Sequence, residues 1–121
     1  MKVKDLINGL KKYDNRFVYV WDDKIELWNN EFVIQEKKYR VRQQPNSEQF
    51  IKRVVLIPSM SEYAIGEYKL SEDVINILNE FDENEEIVLA GRYFHLNGDY
   101  SPLFNHYKEV DSSFKKSVRI H

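Results

Sequence analysis

The chain has 121 residues, of which 42% are hydrophobic and 31% charged, so a disordered polymer is excluded and a single globular domain over residues 1–121 is predicted. The absence of cysteine excludes disulfides, thiolate zinc sites and cysteine nucleophiles. Because no long apolar run occurs and Asp5 interrupts the first apolar segment, we expect no membrane span, no signal sequence and a cytoplasmic location.

Charge divides the chain into two halves of opposite sign. The first 60 residues carry 12 Lys and Arg against 8 Asp and Glu, and the other 61 carry 6 against 12, within a net charge of −2. Such asymmetry is typical of a half that binds a charged partner. It also fits two halves of one domain that face each other, and this second explanation is favoured because so small a domain must pack its halves together.

Apolar residues at helical spacing predict the helices. The first covers residues 3–13, and the second starts with Ser71 as its N-cap and runs to residue 81. The dipeptide Ser101-Pro102 is typical of a helix start, which predicts a third helix over 101–110.

Segments rich in β-branched and aromatic residues predict the strands. They cover residues 17–21, 25–28, 32–35, 87–95 and 114–120, together with a hairpin formed by 38–44 and 49–57. We therefore predict an α+β fold in which a mostly antiparallel sheet of about five to seven strands is covered by two or three helices. The predicted core consists of Leu6, Ile7, Leu10, Val18, Val20, Val54, Val74, Ile77, Leu78, Phe81 and Leu89.

The hairpin predicts a basic surface. If its turn pairs residue 44 with residue 49, Lys38 lies opposite Val55 and Arg40 lies opposite Arg53. Two arginines in that position repel each other, so we expect an anion to neutralise them. A shift of the register by one residue would exchange the two faces of the hairpin. The predicted basic face consists of Lys38, Arg40, Arg42 and Arg53.

Three anions compete for this role. The favoured one is a carboxylate of the same chain, from Glu26, Glu31 or Glu36. The second is nucleic-acid phosphate, although a pI near 5.9 argues against general nucleic-acid affinity. The third is an acidic patch on a protein partner or on a second copy of the chain. The stacking surfaces for a nucleic acid would be Tyr19, Trp28 and Tyr39.

An acidic patch follows the second predicted helix. It consists of Glu80, Asp82, Glu83, Glu85 and Glu86. A solvated loop is the favoured explanation. The alternative is a binding surface whose carboxylates imitate phosphates in the nucleic-acid groove of a partner such as a nuclease.

The sequence offers one candidate cluster for catalysis or metal binding, formed by His95, Asp99, His106 and Glu109. Two imidazoles and a carboxylate are able to bind a metal or act as an acid–base pair. Their spacing matches no established motif, and imidazoles with local hydrogen bonds are the favoured explanation. We therefore expect no catalytic residue, no metal site and no cofactor.

The N-terminal pattern Val3-x-x-Leu6-Ile7-x-x-Leu10-x-x-Tyr13, followed by the strand at 17–21, resembles the opening of many small accessory proteins from phages and prophages. The resemblance covers residues 3–21. It implies a mobile-element context, in which small non-enzymatic proteins commonly bind host factors.

The leading hypothesis is therefore a non-catalytic protein-binding module that inhibits or modulates a host factor or a defence nuclease, as anti-CRISPR or anti-restriction proteins do. One alternative is a nucleic-acid-binding accessory protein that uses the basic face. Another is a metal-dependent enzyme that uses His95, Asp99 and His106. A homodimer is compatible with the sequence.

Overall fold

The computed structural model describes residues 1–40, 50–58, 70–92, 100–112 and 116–121. The described residues form two helices and eight strands, which confirms the α+β class. Neither helix in these ranges is long and apolar enough to cross a membrane. In chain order the elements are α1 (Val3–Leu10), β1 (Phe17–Asp22), β2 (Leu27–Asn29), β3 (Phe32–Arg40), β4 (Phe50–Pro58), α2 (Ser71–Leu78), β5 (Ile87–Ala90), β6 (Tyr100–Pro102), β7 (Tyr107–Asp111) and β8 (Lys116–Ile120).

The strands are divided between two sheets of four strands each, within the part of the chain that the structure describes. The first sheet has the order β2-β1-β8-β7 and the second has the order β3-β4-β5-β6. Neighbouring strands are antiparallel except β1–β8 and β4–β5, which are parallel. The prediction of one sheet was wrong because each parallel pair joins segments that are distant in the sequence, and no local pattern encodes such pairing.

The main core lies between the helices and both sheets, as in a single small α+β domain. Every predicted core residue is buried except Ile77 and Phe81, which are half-buried. Seven other members of this cluster were not among the predicted core residues. They are Val3, Phe32, Leu56, Ile87, Leu103, Val118 and Ile120.

Both helices begin in the same way. The backbone N–H of Lys2 donates to the Asp5 carboxylate at 2.9 Å, and that of Leu70 donates to Asp73 at 3.1 Å. The prediction that Ser71 is the N-cap was wrong, because Leu70 holds that position. Ser71 is instead the first helical residue, and its buried hydroxyl donates to the carbonyl of Tyr13 at 2.7 Å.

The predicted third helix was wrong, since residues 100–111 contain β6 and β7. β7 pairs with β8 from Tyr107 opposite Ile120 to Asp111 opposite Lys116. Residues 103, 107 and 110 have helical spacing, but the segment is short and its helix propensity is weak. Pairing with β8 therefore outweighs the local preference. β2 begins at Leu27 rather than at residue 25, because Glu26 has a left-handed φ of 55°.

The predicted antiparallel pairing of the two hairpin arms is confirmed in part. β3 joins the strand predicted at 32–35 to the start of the first arm, and residues 41–49, which include the predicted turn, lie outside the described residues. The predicted register was wrong. Lys38 lies opposite Lys52, Arg40 lies opposite Phe50, and Arg53 lies opposite Lys37. Alternation cannot set the register of β4, because this strand is apolar on both faces. Val54 and Leu56 lie in the main core, whereas residues 55 and 57 belong to a second buried cluster with Val88 and Ala90.

Candidate functional site

The outer face of the first sheet carries aromatic and cationic side chains. Residues of β1 are alternately buried and half-buried, so Tyr19 faces away from the core that contains its neighbours. Tyr19 is paired with Arg119 of β8, and Arg119 is paired with Lys108 of β7. Trp28 of β2 is opposite Trp21 of β1. Side chains from all four strands therefore meet on this face.

Trp28 is held by three neighbours. The guanidinium of Arg119 lies 5.1 Å from the centroid of the indole ring, which is a cation–π contact. The rings of Trp21 and His121 meet Trp28 in edge-to-face contacts with centroid distances of 5.4 and 4.8 Å. These contacts order the indole and the guanidinium before any partner binds, so less side-chain entropy would be lost on binding.

An open groove of about 370 Å³ lies on this face. Rings, aliphatic side chains and hydroxyls line it together with a guanidinium; the residues are Tyr19, Leu27, Trp28, Val110, Ser112, Ser117 and Arg119. Leu27 is 61% exposed at its rim. Trp, Tyr and Arg are the residue types that carry most of the binding energy in protein interfaces. We call Tyr19, Leu27, Trp28, Lys108, Val110 and Arg119 the aromatic face.

The alternation of β7 separates its charges between the two sides of the sheet. Lys108 and Val110 point outward with Arg119 and Ser117, their partners on β8. Glu109 and Asp111 point the other way and contact the Arg16 guanidinium at 3.3 and 2.6 Å. The hydrogen bond from Arg16 to Asp111 raises the pKa of the guanidinium above its ordinary value. The acids of β7 are thus neutralised away from the aromatic face.

The basic face is not assembled as the sequence predicted. Because of the observed register, Arg53 lies opposite Lys37 and not opposite Arg40, and it shares a side of the hairpin with Lys37 instead of with Lys38. The guanidinium of Arg53 lies 5.1 Å from the ring centroid of Tyr100, a second cation–π contact. Arg42 lies outside the described residues. Phosphate binding by this hairpin stays a prediction.

Glu36 is one of the three carboxylates expected to neutralise the hairpin, and its partner is Lys52 at 3.2 Å. A hydrogen bond with Glu85 lowers the pKa of Glu36, and Lys52 adds to this effect. Burial, followed by the same hydrogen bond, raises the pKa of Glu85. A raised pKa favours the protonated form of Glu85, whose hydroxyl can donate to Glu36. The Oε2 atom of Glu85 is buried without a hydrogen-bond partner.

The acidic patch is partly used inside the molecule. The N-terminal amine of Met1 contacts the Glu86 carboxylate at 2.5 Å. The backbone carbonyls of Glu83 and Glu85 accept the N–H groups of Lys4 and Val3, both at 2.9 Å. Glu80, Asp82 and Glu83 have exposed side chains. Part of the patch is therefore engaged within the molecule, and binding of a partner by these acids stays a prediction.

The predicted metal cluster is only partly within the described residues. His95 and Asp99 lie outside them. His106 exchanges backbone hydrogen bonds with His121, whereas the carboxylate of Glu109 contacts Arg16. No group of three His, Asp or Glu side chains that could hold a metal occurs over the ranges that the structure describes.

A second groove, of about 440 Å³, lies between α1 and the segment that follows α2. Its lining is mostly polar and carries charges of both signs; the residues are Lys4, Ile7, Asn8, Lys11, Asn79, Phe81 and Glu83. It offers a partner fewer apolar and aromatic contacts than the aromatic face does.

Only two residues of the aromatic face, Tyr19 and Trp28, were predicted from the sequence, as stacking surfaces for a nucleic acid. The alternation of aromatic residues at 17, 19 and 21 was a local signal for an outward face. Nothing local indicated that Arg119 lies beside Tyr19, because their pairing spans nearly the whole chain.

Comparisons of the chain with protein-family models, with curated proteins and with solved structures found no match.

Proposed function

We propose that this protein is a non-catalytic protein-binding module and that the aromatic face is its contact surface. The observation that carries the proposal is the Arg119–Trp28 pair, which is held in place at the edge of an open groove. A partially exposed Trp, an ordered Arg and a neighbouring Tyr are the side chains that dominate binding energy in protein interfaces. Each such residue typically costs about 2 kcal/mol or more when truncated.

The composition of the groove supports a protein as the ligand. Leu27 and Val110 provide apolar surface beside the rings, and the Ser117 hydroxyl is already bonded to the carbonyl of Val110 at 2.8 Å. This mixture of aromatic and aliphatic surface with a cationic rim is typical of the centre of a protein–protein interface. Few polar groups remain in the groove to orient a small substrate for chemistry.

The resemblance of residues 3–21 to phage and prophage accessory proteins supports a partner class. We extend the proposal accordingly: the protein that is bound is a host factor or a defence nuclease, and binding inhibits or modulates it.

Site-specific photocrosslinking tests the proposal. A benzophenone side chain replaces Leu27 in one variant and Phe104 in a control, because Phe104 is similarly exposed, at 65%, and is not among the residues that line the groove. We expect one protein from the native host to crosslink at position 27 and not at position 104.

The crosslinked protein is then purified and titrated with two variants. Leu27→Asp places a charge in the groove and should weaken binding by at least tenfold, whereas Phe104→Asp should leave the affinity unchanged. Equal crosslinking at both positions, or unchanged binding by Leu27→Asp, would overturn the proposal.

A further inference from the structure

Two cations lie side by side on the aromatic face. Lys108 of β7 is directly opposite Arg119 of β8. Like charges in this position destabilise a sheet unless an anion neutralises them. The nearest acids of β7 point to the other side and contact Arg16.

Within the described residues, neither cation has an acidic partner. Arg119 contacts the ring of Trp28, and none of the described residues that line the groove is acidic. A guanidinium that lies over an aromatic ring can still offer its planar edge to a carboxylate, which binds such an edge through two parallel hydrogen bonds.

We infer that the groove takes an acidic, extended peptide segment of the partner. Its carboxylates lie on Lys108 and Arg119, and an apolar side chain to one side of them packs against Leu27 at the rim of the groove. This inference rests on the proposed function and specifies the chemistry of the ligand. Two cations that lie opposite each other and need an anion were predicted for the hairpin, and here such a pair occurs on the first sheet.

A peptide fits this surface better than a nucleic acid does. Trp28 already contacts the Arg119 guanidinium and two rings, which leaves less of the indole available to a stacked base. The aliphatic surface of Leu27 and Val110 favours an apolar side chain over a sugar–phosphate backbone. The net charge of −2 also opposes a polymer with a charge on every residue.

Intrinsic fluorescence gives a direct readout, because the chain contains only two tryptophans, which contact each other, and one of them, Trp28, lines the groove. The probe is a nine-residue peptide of Asp, Glu and Leu without tryptophan, and the control peptide has Asn and Gln in place of the acids. We expect the acidic peptide to change the emission and bind at least tenfold more tightly than the neutral one at low salt.

Three charge-neutralising variants locate the binding site. Lys108→Gln and Arg119→Gln should each lower the affinity for the acidic peptide by about fivefold, which is the upper range for an exposed ion pair. Lys116→Gln makes the same change in net charge on β8, at a position that alternates to the other side of the sheet, and should have no effect.

Several results would overturn the inference. The first two are equal binding of the acidic and neutral peptides, and equal effects of Lys108→Gln and Lys116→Gln on binding of the acidic peptide. The third is tighter binding of a single-stranded oligonucleotide than of the acidic peptide. The fourth is self-association in sedimentation that Arg119→Gln abolishes. If the crosslinked partner requires Leu27 while the acidic peptide does not bind, this inference fails and the proposed function stands. If partner binding does not require Leu27, the proposed function fails as well.

Discussion

Gly9 lies directly against Tyr107, where α1 packs on β7. A Cβ atom on Gly9 would overlap the hydroxyl and the ring edge of Tyr107. The Tyr107 ring also stacks on Tyr13 with a centroid distance of 5.4 Å, and its hydroxyl donates to the Asn105 side chain at 2.5 Å. Burial raises the pKa of Tyr107 to about 12. The glycine, which weakens a helix interior by about 1 kcal/mol relative to alanine, is thus explained by close packing.

Gly9→Ala should lower the free energy of unfolding by about 1–3 kcal/mol, because the methyl group overpacks a filled site. Helix propensity alone would raise it by about 1 kcal/mol. Urea unfolding of the single variants and of the double variant with Tyr107→Ala measures the coupling. In the Tyr107→Ala background the alanine should be neutral or stabilising. A stabilising effect in the wild-type background would contradict the observed packing.

Ser71→Ala should destabilise the protein by about 1 kcal/mol, because the carbonyl of Tyr13 loses its donor in a buried place. Ser71→Asp distinguishes the role of a buried hydroxyl donor from the role of an N-cap. Aspartate would preserve or improve a cap, whereas here it would bury a charge beside a carbonyl and should destabilise more than alanine does. Thermal unfolding of both variants distinguishes the two roles. If the aspartate variant is more stable than the alanine variant, Ser71 acts as an N-cap after all.

Glu85→Gln should raise stability at pH 7 by about 1 kcal/mol, since the amide donates to Glu36 without burying a charge. The pKa of Glu85 is raised in the folded state. Its contribution to the free energy of unfolding is therefore fully present below the unfolded-state pKa near 4.5 and is lost as the pH rises. The advantage of the glutamine variant should therefore disappear toward pH 4. Urea titrations from pH 4 to 7 measure it, with Glu83→Gln as a control of equal charge. An advantage that grows toward acid pH would contradict this arrangement.

The register of the hairpin can be tested with disulfides, because the chain has no cysteine. Lys38→Cys combined with Lys52→Cys places the thiols at directly opposite positions, where Cα atoms are about 4.5–5.5 Å apart and a disulfide can form. Lys38→Cys with Val55→Cys tests the register derived from the sequence. In the folded protein these positions are separated by about three residues along the strand, or roughly 10 Å, which is too far. Oxidation followed by non-reducing electrophoresis should detect an intramolecular bond only in the first variant.

The sequence by itself determined the elements whose signal is local. α1 and α2 follow from apolar residues three and four positions apart, and β1 and β8 follow from short runs of strand-forming residues. Most of the predicted core followed too, because the periodicity of an amphipathic helix identifies the side chains that it buries.

The tertiary structure alone decided which strands lie next to each other. The strand order in turn determines which side chains meet in the candidate site. The segment at 107–111 is a strand because β8 offers it hydrogen bonds, and the register of β4 is set by packing on two apolar faces. The aromatic face exists because Tyr19, Trp28 and Arg119 come from distant parts of the chain. Pairing between such segments depends on cross-strand hydrogen bonds and shared burial, which are properties of the assembled sheet and leave no local pattern in the sequence.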